Sequence, residues 1–206
     1  MTVSPRPEGE RGQGLEISSM IPESDKKFVQ ECLDHHFASF PMVFPEVPEE
    51  MYDGEHDGSD WVKWKRIPSR VTEKDVRRLE ARLPGPFPPL FNAYLACSHV
   101  LGMESFNLPS LPPDEPLADL EATIQGWACL LDAGYVAFVD NAEGDVCPLC
   151  FEIASRLPDG DYPLVLFDHE SLINLGEEKC RQREHVQPLG ERRYESFRDM
   201  LGKRLL

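Results

Sequence analysis

The sequence predicts an α+β fold, a mostly antiparallel or mixed sheet of about four to six strands packed against several helices. Three observations predict it. Apolar residues recur at helical spacing through the first half of the chain, short apolar runs bounded by turn residues gather in the second half, and a helical stripe returns at the end. Helices followed by clustered strands are typical of α+β domains.

The first twenty residues differ in composition from the rest of the chain. Residues 1–20 are rich in proline, glycine and charge, and they predict a flexible tail. We expect residues 21–206 to form a single α+β domain, since a chain of 206 residues can bury a sizeable core without disulfides or metals.

Helical spacing of apolar residues predicts five helices. Thr72 is a good N-cap for the second of them, and Asp75 stands three residues later, where a capping box places its acid. Proline is tolerated in the first turn of the third helix. The predicted helices cover about 26–39, 72–83, 88–100, 118–125 and 194–205.

Between the first two helices, residues 41–60 carry three prolines and two Asp-Gly pairs, which predict a loop or lid. Pro148 lacks a backbone N–H, so we expect the strand that contains it to be bulged or at a sheet edge. Extended segments are predicted at 61–68, 106–108, 135–139, 146–151 and 162–167.

The charge is strongly acidic and unevenly distributed. Acidic residues number 37 against 21 basic ones, for a net charge of -16. Residues 46–60 carry -7 and residues 104–175 carry -13, whereas residues 61–103 carry +5. Such a field disfavours nucleic acid and anionic membranes and favours basic protein partners, although acidity alone is also explained by solubility. The predicted partner-binding residues are Glu49, Glu50, Asp53, Glu55, Asp57, Glu143, Asp145, Asp159 and Asp161.

Two features of the sequence bear on the cellular compartment: the pattern of its apolar runs and its cysteine content. The chain shows neither a secretory leader pattern nor a run of about 20 apolar residues, so we expect a cytoplasmic protein. In that environment its six cysteines are expected to be free thiols.

The pair Cys147 and Cys150 has the spacing of zinc and thiol-redox motifs. No second pair accompanies it, and residues three apart on a strand point to opposite faces. We therefore expect both thiols to pack in the core, and a zinc-binding adaptor through this pair remains an alternative.

Asp168 and His169 directly follow a predicted buried strand, a position where active sites occur. A small enzyme using these two residues, with Cys150, is a second alternative. The chain lacks the nucleophile-elbow, phosphate-loop, dinucleotide, zinc-protease and EF-hand motifs. We therefore expect no catalytic residues, no metal and no cofactor.

Several short motifs share one order along the chain: 64–76, Leu79-Glu80, Leu83-Pro84, 91–95, 106–109, 159–168 and Ser196-Phe197. Together they resemble the SUKH superfamily, whose members include yeast cell-wall synthesis regulators and bacterial immunity proteins. The resemblance covers about 61–206, and the helix and acidic loop at 21–60 lie outside the pattern. It implies an α+β fold, no catalysis, and neutralisation of a cognate toxin, often a nuclease. An acidic surface would suit a basic toxin domain.

Overall fold

A computed structural model describes residues 21–39, 43–45, 47–55, 61–142 and 146–206. The predicted tail, 1–20, lies outside these ranges, as do the candidate residues Asp57, Glu143 and Asp145. The described residues confirm the α+β class.

The helices are short except for the first. In chain order they are α1 Glu23–Ser39, α2 Glu73–Glu80, α3 Pro89–Cys97, α4 Ala118–Gly126, α5 Ala128–Asp132, α6 His169–Leu175, α7 Glu177–Cys180, α8 Arg183–Val186 and α9 Phe197–Leu205. Single 3₁₀ turns occupy Glu49–Met51, Glu104–Phe106, Ile153–Ser155 and Gln187–Leu189. In the part of the chain that is described, no helix is both long and apolar enough to cross a membrane.

The strands form one main sheet and two short hairpin-like pairs, all antiparallel. The main sheet contains four strands in sequential order, β5-β6-β7-β8. Its strands are β5 Tyr135–Val139, β6 Leu149–Glu152, β7 Leu164–Phe167 and β8 Gly190–Tyr194. The short pairs are β1 Val43–Pro45 with β2 Trp61–Lys63, and β3 Ile67–Pro68 with β4 Ser98–His99.

Both faces of the main sheet are covered by helices. Alternate strand residues, such as Phe138 and Phe151, enter the larger core, which α1, α2, α3, α4 and α9 complete. The residues between them, such as Ala137 and Cys150, enter a second core closed by α5, α6, α7 and α8. Because successive side chains of a strand point to opposite faces, the side chains of this one sheet are divided between two cores.

Local sequence signals explain several of these boundaries. The Thr72 side chain accepts a hydrogen bond from the backbone N–H of Asp75, and the Asp75 carboxylate accepts one from the backbone N–H of Thr72. The predicted capping box is thus confirmed. The prediction for β5 is also confirmed, with the same bounds, 135–139.

Several secondary-structure predictions were wrong. The third helix ends at Cys97 rather than near residue 100, because Ser98–His99 forms β4. Residues 106–108 are not a strand, because a 3₁₀ turn ends there and Asn107 takes a left-handed conformation with φ 63°. Pro148 precedes β6 rather than lying within it, and β6 is an interior strand, although its pairing with β5 is irregular between Ala137 and Val139. The last helix begins at Phe197, since Tyr194 ends β8.

The expectation that all cysteines are free thiols is corrected for one pair. Cys129 and Cys180 form a disulfide, with Cα atoms 5.5 Å apart, that joins α5 to α7 in the second core. Disulfides are rare in the reducing cytosol and persist mainly in oxidising compartments. Cys32 and Cys150 are buried thiols whose pKa values are raised by burial, that of Cys32 to about 11.

Candidate functional site

Ion pairs between separate elements reduce the segregation of charge seen in the sequence. Arg66 pairs with Asp34 of α1, and Arg78 and Arg82 of the basic segment both pair with Glu121 of α4. Most of these groups are exposed, so each pair contributes little stability. Their effect on the surface is larger, because the positive segment 61–103 partly neutralises its acidic neighbours.

The predicted acidic loop at 46–60 is partly anchored. The Glu50 carboxylate accepts hydrogen bonds from both terminal nitrogens of Arg70. Lys63 Nζ lies 2.8 Å from Asp53 Oδ2, and its hydrogen bond and charge lower the pKa of that carboxyl. Glu49 and Glu55 are exposed. Of the four described candidates in this loop, two are therefore already matched by a basic side chain.

Asp159 and Asp161 differ in spite of their proximity in sequence. Asp159 is exposed, and its Oδ1 accepts a hydrogen bond from the backbone N–H of Asp161. Asp161 is only 4% exposed, and its carboxylate accepts backbone hydrogen bonds from Tyr162, Phe197 and Arg198. The prediction that Asp161 is a partner-binding residue is corrected, because its oxygens cap the start of α9.

A groove of about 300 Å³ gathers three acidic residues that the sequence analysis did not select. Glu104 opens a 3₁₀ turn, Asp119 lies in the first turn of α4, and Asp140 directly follows β5. Packing of α4 against β5 brings the last two together. We call this feature, defined by Glu104, Asp119 and Asp140, the acidic groove.

The acidic groove has no basic counterpart among the described residues. None of their lysines, arginines or histidines lines it, and none of its three acids forms an ion pair with them. The rest of the lining mixes polar side chains, those of Ser110, Thr123 and Asn141, with apolar groups such as Pro109 and Ala122. This concentration of negative charge in a concave site suits recognition of a cationic side chain.

The sequence signal for this groove was weak. All three acids belong to the segment 104–175, whose net charge of -13 identified the region but not the residues. They are separated by up to 36 positions, and Asp119 and Asp140 come together through the packing of α4 on β5. The position where these acids meet is therefore decided by tertiary packing, which the composition of a sequence segment does not reveal.

The two cysteines of the C-x-x-C pair lie in different surroundings. Cys150 is fully buried in the second core. Cys147 is partly exposed and lies beside Asp168 and His169 at the end of β7. Of the residues in the two alternative sites, Cys147, Asp168 and His169 lie together, and Cys150 is not part of their group.

Comparison with known proteins identifies no relative. No protein-family model, no curated protein and no solved structure matches the chain.

Proposed function

We propose that this protein is a non-enzymatic protein-binding module whose acidic groove receives basic side chains of a partner. The observation that supports it best is the convergence of Glu104, Asp119 and Asp140 without an ion-pairing partner among the described residues. Other acids, such as Glu50 and Glu121, are already matched by arginines. The groove is thus one place where several acids converge and leave negative charge for an external cation.

Electrostatics gives this arrangement a defined role. Three carboxylates in a concave site focus negative potential, which steers a basic partner and raises its association rate. An arginine guanidinium could bridge two of these carboxylates. The net charge of -16 extends the same attraction over a longer range.

The finer proposal is an immunity protein that neutralises a cognate toxin, possibly a nuclease. It rests on the resemblance to the SUKH superfamily and on the fit between an acidic groove and a nuclease surface that binds phosphates. A protein that occupies the basic residues of such a surface blocks access of the nucleic acid.

Co-expression with the products of adjacent genes tests this proposal. We expect one adjacent product to be basic, to inhibit growth when expressed alone, and to be neutralised by this chain. Asp119→Asn together with Asp140→Asn should weaken protection. The matched control is Glu178→Gln with Glu184→Gln, which removes the same charge from exposed positions on α7 and α8. The absence of a toxic or tightly bound adjacent product would contradict the immunity role.

A further inference from the structure

The β6–β7 ladder places Cys147 opposite Asp168. Leu149 pairs with Leu166 in the antiparallel register, so two residues further out Cys147 meets Asp168. A hydrogen bond from the backbone N–H of Phe167 to the carbonyl of Pro148, at 3.1 Å, continues the ladder to this point. Residues 21 positions apart in sequence are therefore neighbours because of strand register.

His169 completes a group of three metal-ligating side chains. A Cys147 sulfur, an Asp168 carboxylate oxygen and a His169 ring nitrogen all lie within 4.8 Å of one another. Ligand atoms of a tetrahedral zinc ion are separated by roughly 3.3–3.8 Å, given the usual zinc–ligand distances. Small side-chain adjustments would therefore bring the three atoms onto one ion.

A buried polar atom in this group lacks a partner. His169 Nδ1 is buried and makes no hydrogen bond within the described residues. Buried ring nitrogens normally have a hydrogen-bond or metal partner, so this one calls for a ligand. Asp168 is held in place, because its Oδ1 accepts hydrogen bonds from the Ser171 backbone N–H at 2.8 Å and hydroxyl at 2.7 Å.

The chemical types of the three ligand atoms indicate which metal ions the group would bind. A thiolate, an imidazole and a carboxylate suit Zn²⁺ and similar transition metals, whereas Mg²⁺ and Ca²⁺ prefer oxygen ligands alone. A thiolate and a carboxylate also bring two negative charges, which balance a divalent cation. Three protein ligands leave a fourth tetrahedral position for water or for a ligand atom of another molecule.

We propose that Cys147, Asp168 and His169 form a zinc-binding site at the end of the β6–β7 ladder. It differs from the C-x-x-C site suggested by the sequence, since Asp168 and His169 take the place of Cys150. It is also independent of the acidic groove, none of whose lining residues belongs to it.

Titration of the full chain with metal alone tests the site. After chelator treatment and dialysis, we expect calorimetry with ZnCl₂ to show one ion bound per chain. Titration with Co²⁺ should give the thiolate-to-cobalt charge-transfer absorption of a cysteine ligand and the visible bands of tetrahedral cobalt. Cys147→Ser and His169→Gln should each weaken binding at least about tenfold, the loss expected when a ligand or its support is removed.

Matched controls separate a ligand from a general effect. Cys97→Ser removes a partly buried thiol of α3, and His185→Gln removes an exposed imidazole of α8. Both should bind Zn²⁺ like the original chain. Unchanged affinity in Cys147→Ser, or a cobalt spectrum of the unsubstituted chain without the charge-transfer band, overturns the proposal. The second readout needs no variant, so it is decisive even where a substitution impairs folding.

Discussion

The carboxylate of Asp161 accepts a hydrogen bond at 3.2 Å from the backbone N–H of Phe197, 36 residues further along the chain. Asp161 lies in the loop before β7, and Phe197 is the first residue of α9. The contact fastens the last helix to the main sheet beside the aromatic core, where the Phe197 ring meets that of Phe91 at 5.1 Å. A residue that the charge pattern assigned to a binding surface is thus a structural cap.

Removing this cap should destabilise the fold. Asp161→Ala leaves backbone N–H groups of Phe197 and Tyr162 buried without an acceptor, so the free energy of unfolding should fall by about 1–3 kcal/mol. Urea unfolding followed by circular dichroism measures it. Glu178→Ala, an exposed helical control, should stay within about 0.5 kcal/mol of the original chain. An equally small change for Asp161→Ala would refute the capping role.

The contribution of Asp161 to the free energy of unfolding should change with pH in a definite direction. Burial raises the pKa of Asp161 above its ordinary value, although the backbone hydrogen bonds partly oppose the shift. The folded state therefore holds the proton more tightly than the unfolded chain. Its stabilising contribution is present below the unfolded pKa and is lost as the pH rises through the folded pKa.

Comparison with Asp161→Asn isolates this contribution, because asparagine has a similar shape and does not ionise. We expect the unfolding free energy of the original chain minus that of the variant to decrease from about pH 3, below the ordinary pKa of aspartate, to neutral pH. A difference that increases over this range would mean that the hydrogen bonds outweigh burial.

The disulfide between Cys129 and Cys180 should stabilise the second core. It spans 51 positions, and closing a loop of this length lowers the entropy of the unfolded chain by an amount worth about 4 kcal/mol. Cys129→Ala with Cys180→Ala should therefore lower the unfolding midpoint in urea under oxidising conditions. Added reductant should lower the midpoint of the original chain while leaving that of the double variant unchanged. Identical midpoints for both proteins without reductant would exclude a stabilising disulfide.

Replacement by alanine should change the stability of the fold in opposite directions at two glycines. A Cβ at Gly190 would lie 2.5 Å from Val165 Cγ1 and 2.8 Å from Phe167 Cε1, so Gly190→Ala should cost roughly 1–3 kcal/mol through overpacking of β8 on β7. A Cβ at Gly202, inside α9, meets nothing within 4 Å. Gly202→Ala should add about 0.5–1 kcal/mol through helix propensity. Thermal unfolding of both variants measures the contrast, and a neutral Gly190→Ala would show that β8 moves away from the sheet.

The helices and strands that the sequence predicts well are those whose own residues form a recognisable pattern. The Thr72 and Asp75 capping box needs only residues three apart, and β5 is an apolar run ended by turn residues. By contrast, β8 reads Gly-Glu-Arg-Arg-Tyr, and three of its five residues are exposed. As an edge strand with polar side chains, it lacks the alternation that identifies a strand, so its pairing with β7 decides its structure.

The candidate sites depend on information at longer range. Cys147 and Asp168 meet through the β6–β7 register, and a shift by one residue would separate them. Asp119 and Asp140 meet through packing of α4 on β5. Charge counts by segment located the acidic region but could not distinguish Asp161, which is buried, from Asp140, which lines the groove. Burial and pairing are properties of the folded chain.

The central claim is that the acidic groove binds a basic partner, and the most direct measurement is the salt dependence of the Kd. Calorimetry would compare the original chain with the Asp119→Asn, Asp140→Asn variant against the protein that co-purifies from co-expression. We predict a Kd that rises steeply with salt, and at low salt a Kd for the variant at least about tenfold higher. The Glu178→Gln, Glu184→Gln control should bind like the original chain. Equal Kd values for variant and original chain, insensitive to salt, would contradict the account.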